Sequence, residues 1–287
     1  MSNGQTSAIG HDVVTRSDVL FAEHDGSKLV GDFYLPKGRA KAPALVAIHG
    51  GGWQLGDRGF YKHWGPYFAR HGYALFAIEY RLGKAGIYPA AVCDAKAAIQ
   101  FVRAKAADFD VDPDRIALIG DSAGAHLAAL LALAGDQYGS AYRDDRYAAT
   151  AVDVKAVVGF YGVYDLYAQW QHDLAARPRD PIVEKFLGAS PTQNRRLYFD
   201  ASPISHATID RNKVRFLLIH GTDDDIVDSP SQSGAFLTAL MQAQFFVRRI
   251  VIPGAGHFWS NEPFENEPLN YNAIAAPRLL RFLDGAL

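Results

Sequence analysis

The chain has 287 residues, of which 49% are hydrophobic and 21% are charged, so it can bury the core of one large domain. Its formal net charge of −2 gives no reason to expect nucleic acid or an acidic membrane surface as a partner. The single cysteine, Cys93, excludes an intrachain disulfide and a cysteine-based metal cluster, and it fits a reducing compartment.

The N-terminal segment and the longest apolar run bear on localisation. Residues 1–18 are polar and contain no apolar stretch of the kind found in secretory signals. The longest apolar run, around residues 127–134, is far shorter than a membrane span. We therefore expect a soluble, cytoplasmic protein with no membrane partner, folded as one domain over residues 1–287.

Short apolar runs alternate with helical patterns along the chain. Two β-like runs open it, and the turn-forming residues Asp25, Gly26 and Ser27 join them as a predicted hairpin. The eight predicted strands cover residues 18–24, 28–35, 44–50, 73–80, 115–120, 154–162, 215–221 and 246–253. The predicted helices cover residues 89–107, 123–133, 231–243 and 271–285. This alternation predicts an α/β fold with a mostly parallel sheet, helices on both faces, and antiparallel edge strands from the hairpin.

Residues 163–213 interrupt this alternation after the sixth predicted strand. The segment is rich in proline and aromatic residues, and about 50 residues are too many for a plain crossover between two strands. We therefore predict a lid or cap insertion, within the same domain, over one end of the sheet.

The pentapeptide Gly120-Asp121-Ser122-Ala123-Gly124 lies where a predicted strand meets a predicted helix. A serine on such a sharp turn is positioned as a nucleophile, and the flanking glycines allow the close backbone approach that the turn needs. The helix N-terminus beside it favours developing negative charge. The alternative is that Ser122 only caps the helix.

A serine hydroxyl needs a base, and the base needs an orienting acid. Among ten histidines, His257 lies in a glycine-bounded loop after the last predicted strand, where parallel α/β sheets place reactive groups. His126 and His220 are expected to be buried, hydrogen-bonded histidines that support nearby loops. The acid is expected among the three aspartates at 223–225, which follow a core strand and precede His257.

A run of three glycines, residues 50–52, follows the third predicted strand. It matches neither the P-loop nor the dinucleotide-binding pattern. Backbone N–H groups left unshielded by glycines can converge on one point, as an oxyanion hole requires, and the N–H of Ala123 would supply a further donor. His49, before the run, is expected to brace the loop.

These segments together make the chain resemble an α/β-hydrolase, in the branch of the hormone-sensitive-lipase-like and small bacterial carboxylesterases. The resemblance covers most of residues 28–260 and rests on these segments: HGGGW (49–53), YRL (80–82), YPAAVCDAKAAIQFVRA (88–104), DPDRIALIGDSAGAHLA (112–128), HGTDDDIV (220–227) and GAGHFW (254–259). It implies Ser122 as nucleophile, His257 as base and Asp224 as the orienting acid. It also implies that the N–H groups of Gly51, Gly52 and Ala123 form the oxyanion hole. The chain departs from that branch in having only about 17 residues before its first strand, where relatives usually carry a helical cap.

The predicted function is hydrolysis of a small-molecule carboxylic ester through an acyl-enzyme, with no metal or organic cofactor. Trp53, Phe258 and Trp259 flank the catalytic loops and predict an apolar pocket for short acyl or aromatic esters, although core packing is the alternative for these aromatics. The same triad would serve an amidase, arylformamidase or peptidase. A non-catalytic ligand-binding protein on this fold is the remaining alternative.

Overall fold

The computed structural model describes residues 10–24, 26–139, 146–264 and 270–287. Its centre is an eight-stranded sheet with the order β1-β2-β4-β3-β5-β6-β7-β8. The strands are β1 (Val13–His24), β2 (Ser27–Pro36), β3 (Ala42–Ile48), β4 (Ala74–Ile78), β5 (Val111–Asp121), β6 (Ala156–Phe160), β7 (Arg215–Gly221) and β8 (Val247–Ile252). Strands β3 to β8 pair in parallel, whereas the β1–β2 hairpin adds antiparallel pairs at one edge. The predicted fold class is confirmed; Asp25 of the predicted hairpin turn lies outside the described residues.

The central strands are apolar at every position because both of their faces are covered. In β3 all seven residues are buried. Val46 and Ile48 pack into one hydrophobic cluster, and Leu45 and Ala47 pack into another on the opposite face of the sheet. This alternation of side chains explains why β3 shows a continuous apolar run instead of alternating polar and apolar residues.

Helices cover both faces of the sheet. They are α1 (Trp64–Arg70), α2 (Ala90–Ala104), α3 (Ala123–Ala134), α4 (Leu166–Ala176), α5 (Ile182–Leu187), α6 (Arg195–Asp200), α7 (Ala235–Gln242) and α8 (Tyr271–Ala286). Buried residues of α2, α3 and α7 belong to the first hydrophobic cluster, and those of α1 and α8 to the second. In the described part of the chain, none of the helices is both long and apolar enough to cross a bilayer.

Among the differences between the structure and the predicted elements, two concern helices outside the predicted insertion. Helix α1 lies outside the predicted helices and contains Gly65 and Pro66, which favour turns, but burial of Trp64 and Phe68 against the sheet stabilises a helix there. The helix predicted over 231–243 begins instead with a π-helical turn, and α7 follows it. Sequence periodicity identifies such elements better than it identifies their ends.

The register of the parallel strands brings their carboxyl ends to one edge of the sheet. Ile48 of β3 pairs with Gly120 of β5, and Gly120 pairs with Gly159 of β6. The glycine loop, Ser122 and the loops after β7 and β8 therefore all begin at this edge, where open α/β sheets bind their ligands.

Candidate active site

Ser122 lies on a tight turn between β5 and α3. Its φ of 51° and ψ of −117° place it in a backbone region that residues other than glycine rarely adopt. A Cβ on Gly124 would overlap the carbonyl of Ile48, and one on Gly120 would overlap the backbone of Gly124. Ser122 makes no side-chain capping hydrogen bond to α3, so the N-cap interpretation does not hold. Its hydroxyl is free to contact a base.

Ser122, His257 and Asp224 form a continuous hydrogen-bonded chain. His257 Nε2 lies 3.1 Å from Ser122 Oγ, and His257 Nδ1 lies 2.7 Å from Asp224 Oδ2. This geometry requires the imidazole proton to be on Nδ1, donated to the carboxylate, so that Nε2 can accept the proton of the serine. Residues separated by as many as 135 positions thus meet at the carboxyl edge of the sheet.

The carboxylate of Asp224 has no solvent-exposed side-chain surface and accepts hydrogen bonds at both oxygens. Oδ1 accepts from the backbone N–H groups of Ile226 at 3.0 Å and Val227 at 2.9 Å. Oδ2 accepts from His257 and also lies 3.2 Å from His220 Nε2. Burial opposes ionisation, but the hydrogen bonds from His220, His257 and Val227 outweigh it and hold the pKa of Asp224 well below its usual range. Its neighbours Asp223 and Asp225 are exposed.

The glycine loop lies opposite Ser122 and is held in a conformation that glycine adopts readily. Gly51 and Gly52 have φ values of 109° and 59°, and a Cβ on Gly51 would overlap the carbonyl of Leu55. In the described part of the chain, neither of these two glycines donates its backbone N–H to a protein acceptor. These two donors, with the N–H of Ala123 at the start of α3, border the same cavity as Ser122.

A cavity of about 390 Å³ opens beside Ser122 and His257. Apolar side chains line much of it, including Leu55, Val163 and Ile182. One wall is polar. Gln169 and Asp173 of α4 and Arg177, which directly follows α4, form a hydrogen-bonded cluster of side chains there. Sequence reasoning did not identify this cluster, whose residues recur at helical spacing within the predicted insertion.

The three aromatic residues predicted to contact substrate occupy different environments. Phe258 lines the cavity and is 50% exposed. Trp53 also borders the cavity, but it is only 2% exposed and stacks on Phe186, with ring centroids 4.4 Å apart. Trp259 does not line the cavity; it packs against Phe160 and Tyr161 in the second hydrophobic cluster. This placement corrects the predicted substrate contact of Trp259, because its ring lies in the core.

A family model described as BD-FAE matches residues 31–240. The chain belongs to the BD-FAE family. The predicted resemblance to α/β-hydrolases of the esterase branch is therefore confirmed.

Curated relatives of this BD-FAE family member include mycobacterial proteins. The probable carboxylic ester hydrolase LipM of Mycobacterium tuberculosis is 34% identical over 209 residues, which make up 70% of this chain and 45% of LipM. Esterase LipQ of the same organism is 35% identical, over 71% of this chain and 47% of LipQ. The chain thus spans about half the length of these curated relatives. Among solved structures, native Est2 esterase from Thermogutta terrifontis aligns with a TM-score of 0.74 at 25% identity, covering 96% of this chain and 94% of that one.

Two other histidines near the site, His126 and His49, are buried. His126 accepts a hydrogen bond from Trp53 Nε1 at 3.2 Å and donates to the Ala201 carbonyl at 2.8 Å, and burial lowers its pKa to about 4. His49 stacks on Tyr80, and burial lowers its pKa to about 4 as well. Both support loops, as expected.

His220 has a more specific place than the sequence indicated. It is fully buried, and its Nε2 lies 2.9 Å from the Val227 carbonyl and 3.2 Å from Asp224 Oδ2. Its Nδ1 lies 2.5 Å from Ser233 Oγ. His220 therefore helps to orient the carboxylate that holds His257. The only signal in the sequence was its position four residues before Asp224.

Asp121, the residue before Ser122, points away from the cavity into the core. It is 2% exposed, and its Oδ1 accepts a hydrogen bond of 3.1 Å from the Tyr61 hydroxyl. Burial raises the pKa of Asp121 to about 7, although hydrogen bonds from Tyr61 and from the backbone of Gly50 act in the opposite direction. The carboxyl group thus lies between the turn at Ser122 and the glycine loop, and it ionises near neutral pH.

This shift predicts an effect of pH on stability. Because the pKa of Asp121 is higher in the folded state than its ordinary value of 3.8, its contribution to stability is present at low pH and is lost as pH rises towards about 7. The Asp121→Asn variant lacks this loss. We expect its free energy of unfolding, relative to the wild type, to increase by about 2.6 kcal/mol between pH 5 and pH 8. Urea unfolding of both proteins at the two pH values measures this difference in the free energy of unfolding. A difference that does not change with pH would contradict the prediction.

Proposed function

We propose that this chain is a serine carboxylester hydrolase that works through an acyl-enzyme. The observation that carries the proposal is the hydrogen-bonded chain Ser122–His257–Asp224 beside a cavity bordered by Gly51 and Gly52, whose backbone N–H groups have no protein acceptor among the described residues. The names of relatives such as LipM and LipQ support it. A non-catalytic role would explain neither the strained backbone of Ser122 nor the contact between its hydroxyl and His257.

In the proposed mechanism, Ser122 Oγ attacks the ester carbonyl while His257 Nε2 takes its proton. The negative charge that develops on the carbonyl oxygen is stabilised by the N–H groups of Gly51, Gly52 and Ala123, each of which is worth about 3 kcal/mol in such sites. His257 then gives the proton to the leaving alcohol. Water, activated by the same histidine, releases the acid from the acyl-serine. Asp224 stays ionised throughout and holds the imidazole in the productive tautomer.

The cavity favours small substrates. A volume of about 390 Å³ is at the lower end for ligand sites and fits a short acyl chain or an aromatic ring. Leu55, Ile182 and the half-exposed Phe258 provide apolar surface for either group. We therefore propose short acyl or aromatic esters as the substrate class.

We further propose that residues 163–213 act as the lid of a single domain spanning residues 1–287. Val163, Gln169 and Ile182 from this segment line the same cavity as Ser122, which supports a role in enclosing the substrate. The short helices α4, α5 and α6 would then set the shape of the binding pocket.

Labelling by a serine-directed phosphonate tests the proposal. An esterase with this fold, from Thermogutta terrifontis, has a structure phosphonylated by cyclosarin. We expect a fluorophosphonate probe to modify the folded protein at Ser122, as located by mass mapping after labelling. The loss of ester hydrolysis is expected to equal the fraction of chains that carry the label. Parallel assays with matched ester, formamide and peptide substrates test the bond. Absence of label on Ser122, or an ester rate no higher than the amide rate, would refute the proposal.

A further inference from the structure

A groove that the ester chemistry does not use lies between β8 and α8. Its volume is about 330 Å³, and five arginines line it: Arg215, Arg248, Arg249, Arg278 and Arg281. Arg215 begins β7, whereas Asp224 lies beyond the carboxyl end of that strand. Seven strand residues span roughly 20 Å, so the groove lies at the opposite end of the sheet from Ser122.

Among the described residues, no carboxylate neutralises the positive charge of this groove. Within the described ranges, none of the five arginines has a carboxylate in ion-pair contact, and those with hydrogen-bond partners use neutral ones. Arg215 donates to the Gly285 carbonyl, and Arg249 donates to Ser229 Oγ at 2.7 Å. Elsewhere in the molecule arginines pair with acids, as Arg58 does with three carboxylates. This concentration of like charge raises the local concentration of anions at the groove.

Aromatic contacts hold some of these guanidinium groups in place. The Cζ atoms of Arg215 and Arg248 lie 4.9 Å and 4.8 Å from the ring centroid of Phe246. This ring faces Phe282 of α8, with centroids 6.4 Å apart. A cation–π contact orients an arginine without removing its charge. The guanidinium of Arg249 points to the opposite face of β8, where it donates to Ser229 Oγ, so it adds no anion-binding donor to the groove. The contacts with Phe246 thus partly preorganise the groove for an anion, which lowers the entropic cost of binding.

From this arrangement we infer that the groove between β8 and α8 binds a small molecule carrying phosphate groups, at a site separate from the ester site. Guanidinium groups match phosphate oxygens through paired N–H donors, and several of them around one cavity favour a ligand with two or more negative charges. The concave shape and volume suit a small molecule, and the Phe246 and Phe282 rings provide apolar contact for its uncharged part.

Titration calorimetry with sodium pyrophosphate, at constant ionic strength and on the full chain, tests the inference. We expect saturable binding at one site per chain and at least a tenfold loss of affinity in the double variant Arg248→Gln/Arg281→Gln. The double variant Arg70→Gln/Arg196→Gln removes the same charge from exposed positions elsewhere and is expected to bind as the wild type does. No saturable binding, or an equal loss in both double variants, would overturn the inference.

Two further measurements separate the alternatives. Ester hydrolysis by Arg248→Gln/Arg281→Gln without pyrophosphate is expected to equal that of the wild type, which distinguishes this site from the ester site. Sedimentation with phosphatidylcholine vesicles containing phosphatidylserine tests a lipid headgroup as the source of phosphate. Binding to these vesicles without binding to pyrophosphate would overturn the inference of a small ligand. Should the double variant unfold, Arg278→Gln alone is expected to weaken pyrophosphate binding, and unchanged affinity would count against the site.

Discussion

Replacing Ser122 by alanine is expected to lower kcat for ester hydrolysis by about 10⁴- to 10⁶-fold. The substitution removes the only hydroxyl that His257 Nε2 contacts among the described residues, at 3.1 Å. Alanine keeps the Cβ at the same positive φ, so the backbone of the turn and the overall fold are expected to be retained. Steady-state assays with a short acyl ester, with circular dichroism on both proteins, measure the effect.

A matched serine variant separates loss of the nucleophile from general damage. Ser190→Ala removes a hydroxyl whose hydrogen bonds, among the described residues, stay within its own turn, and we expect it to retain wild-type kcat. Ester hydrolysis by Ser122→Ala at more than about a tenth of the wild-type rate would show that another group attacks the carbonyl and would contradict the proposed mechanism.

Replacing Asp224 by asparagine is expected to lower kcat by about 10⁴-fold without unfolding the protein. The backbone N–H groups of Ile226 and Val227 both donate to Oδ1, so the amide oxygen of the variant is expected to occupy that position. The amide nitrogen would then face His257 Nδ1 as a donor. This forces the imidazole proton onto Nε2, the atom that must accept the proton of Ser122.

The adjacent aspartate provides the control for this change. Asp225 is exposed, and Asp225→Asn is expected to alter kcat by less than about twofold. Comparing kcat of the two variants across pH also tests the tautomer argument, because a wrong tautomer lowers the rate at every pH. Equal effects of Asp224→Asn and Asp225→Asn would contradict the assignment of Asp224.

The described structure agrees best with predictions that rest on local pattern. Strand β5 followed by glycine, serine and α3 was predicted because the run of apolar residues and the glycine spacing are adjacent in sequence. The residues alone left the aspartates at 223–225 equivalent, and only the family resemblance selected Asp224. In the structure the turn after β7 directs Asp224 inwards and leaves Asp223 and Asp225 exposed.

Predictions that depend on contacts between separate elements were less successful. Trp259 follows His257 closely in sequence, but Phe258 adopts a left-handed backbone conformation that turns the chain. The side chain of Trp259 therefore packs in the second hydrophobic cluster. The approach of His220 to Asp224 and the pairing of Gln169 with Asp173 also depend on how whole elements pack. Sequence periodicity carries no information about such contacts.

The sequence by itself determined the alternation of strands and helices, the tight turn at Ser122 and the glycine loop, because hydrophobic period and glycine position are local properties of the chain. Tertiary structure alone decided which side chains meet. The parallel register of β3, β5, β7 and β8 brings Ser122, Asp224 and His257 to one edge of the sheet, and the same packing gathers the arginines of β7, β8 and α8 at its other end. Contacts between residues distant in sequence depend on burial of the whole sheet, which no short segment encodes.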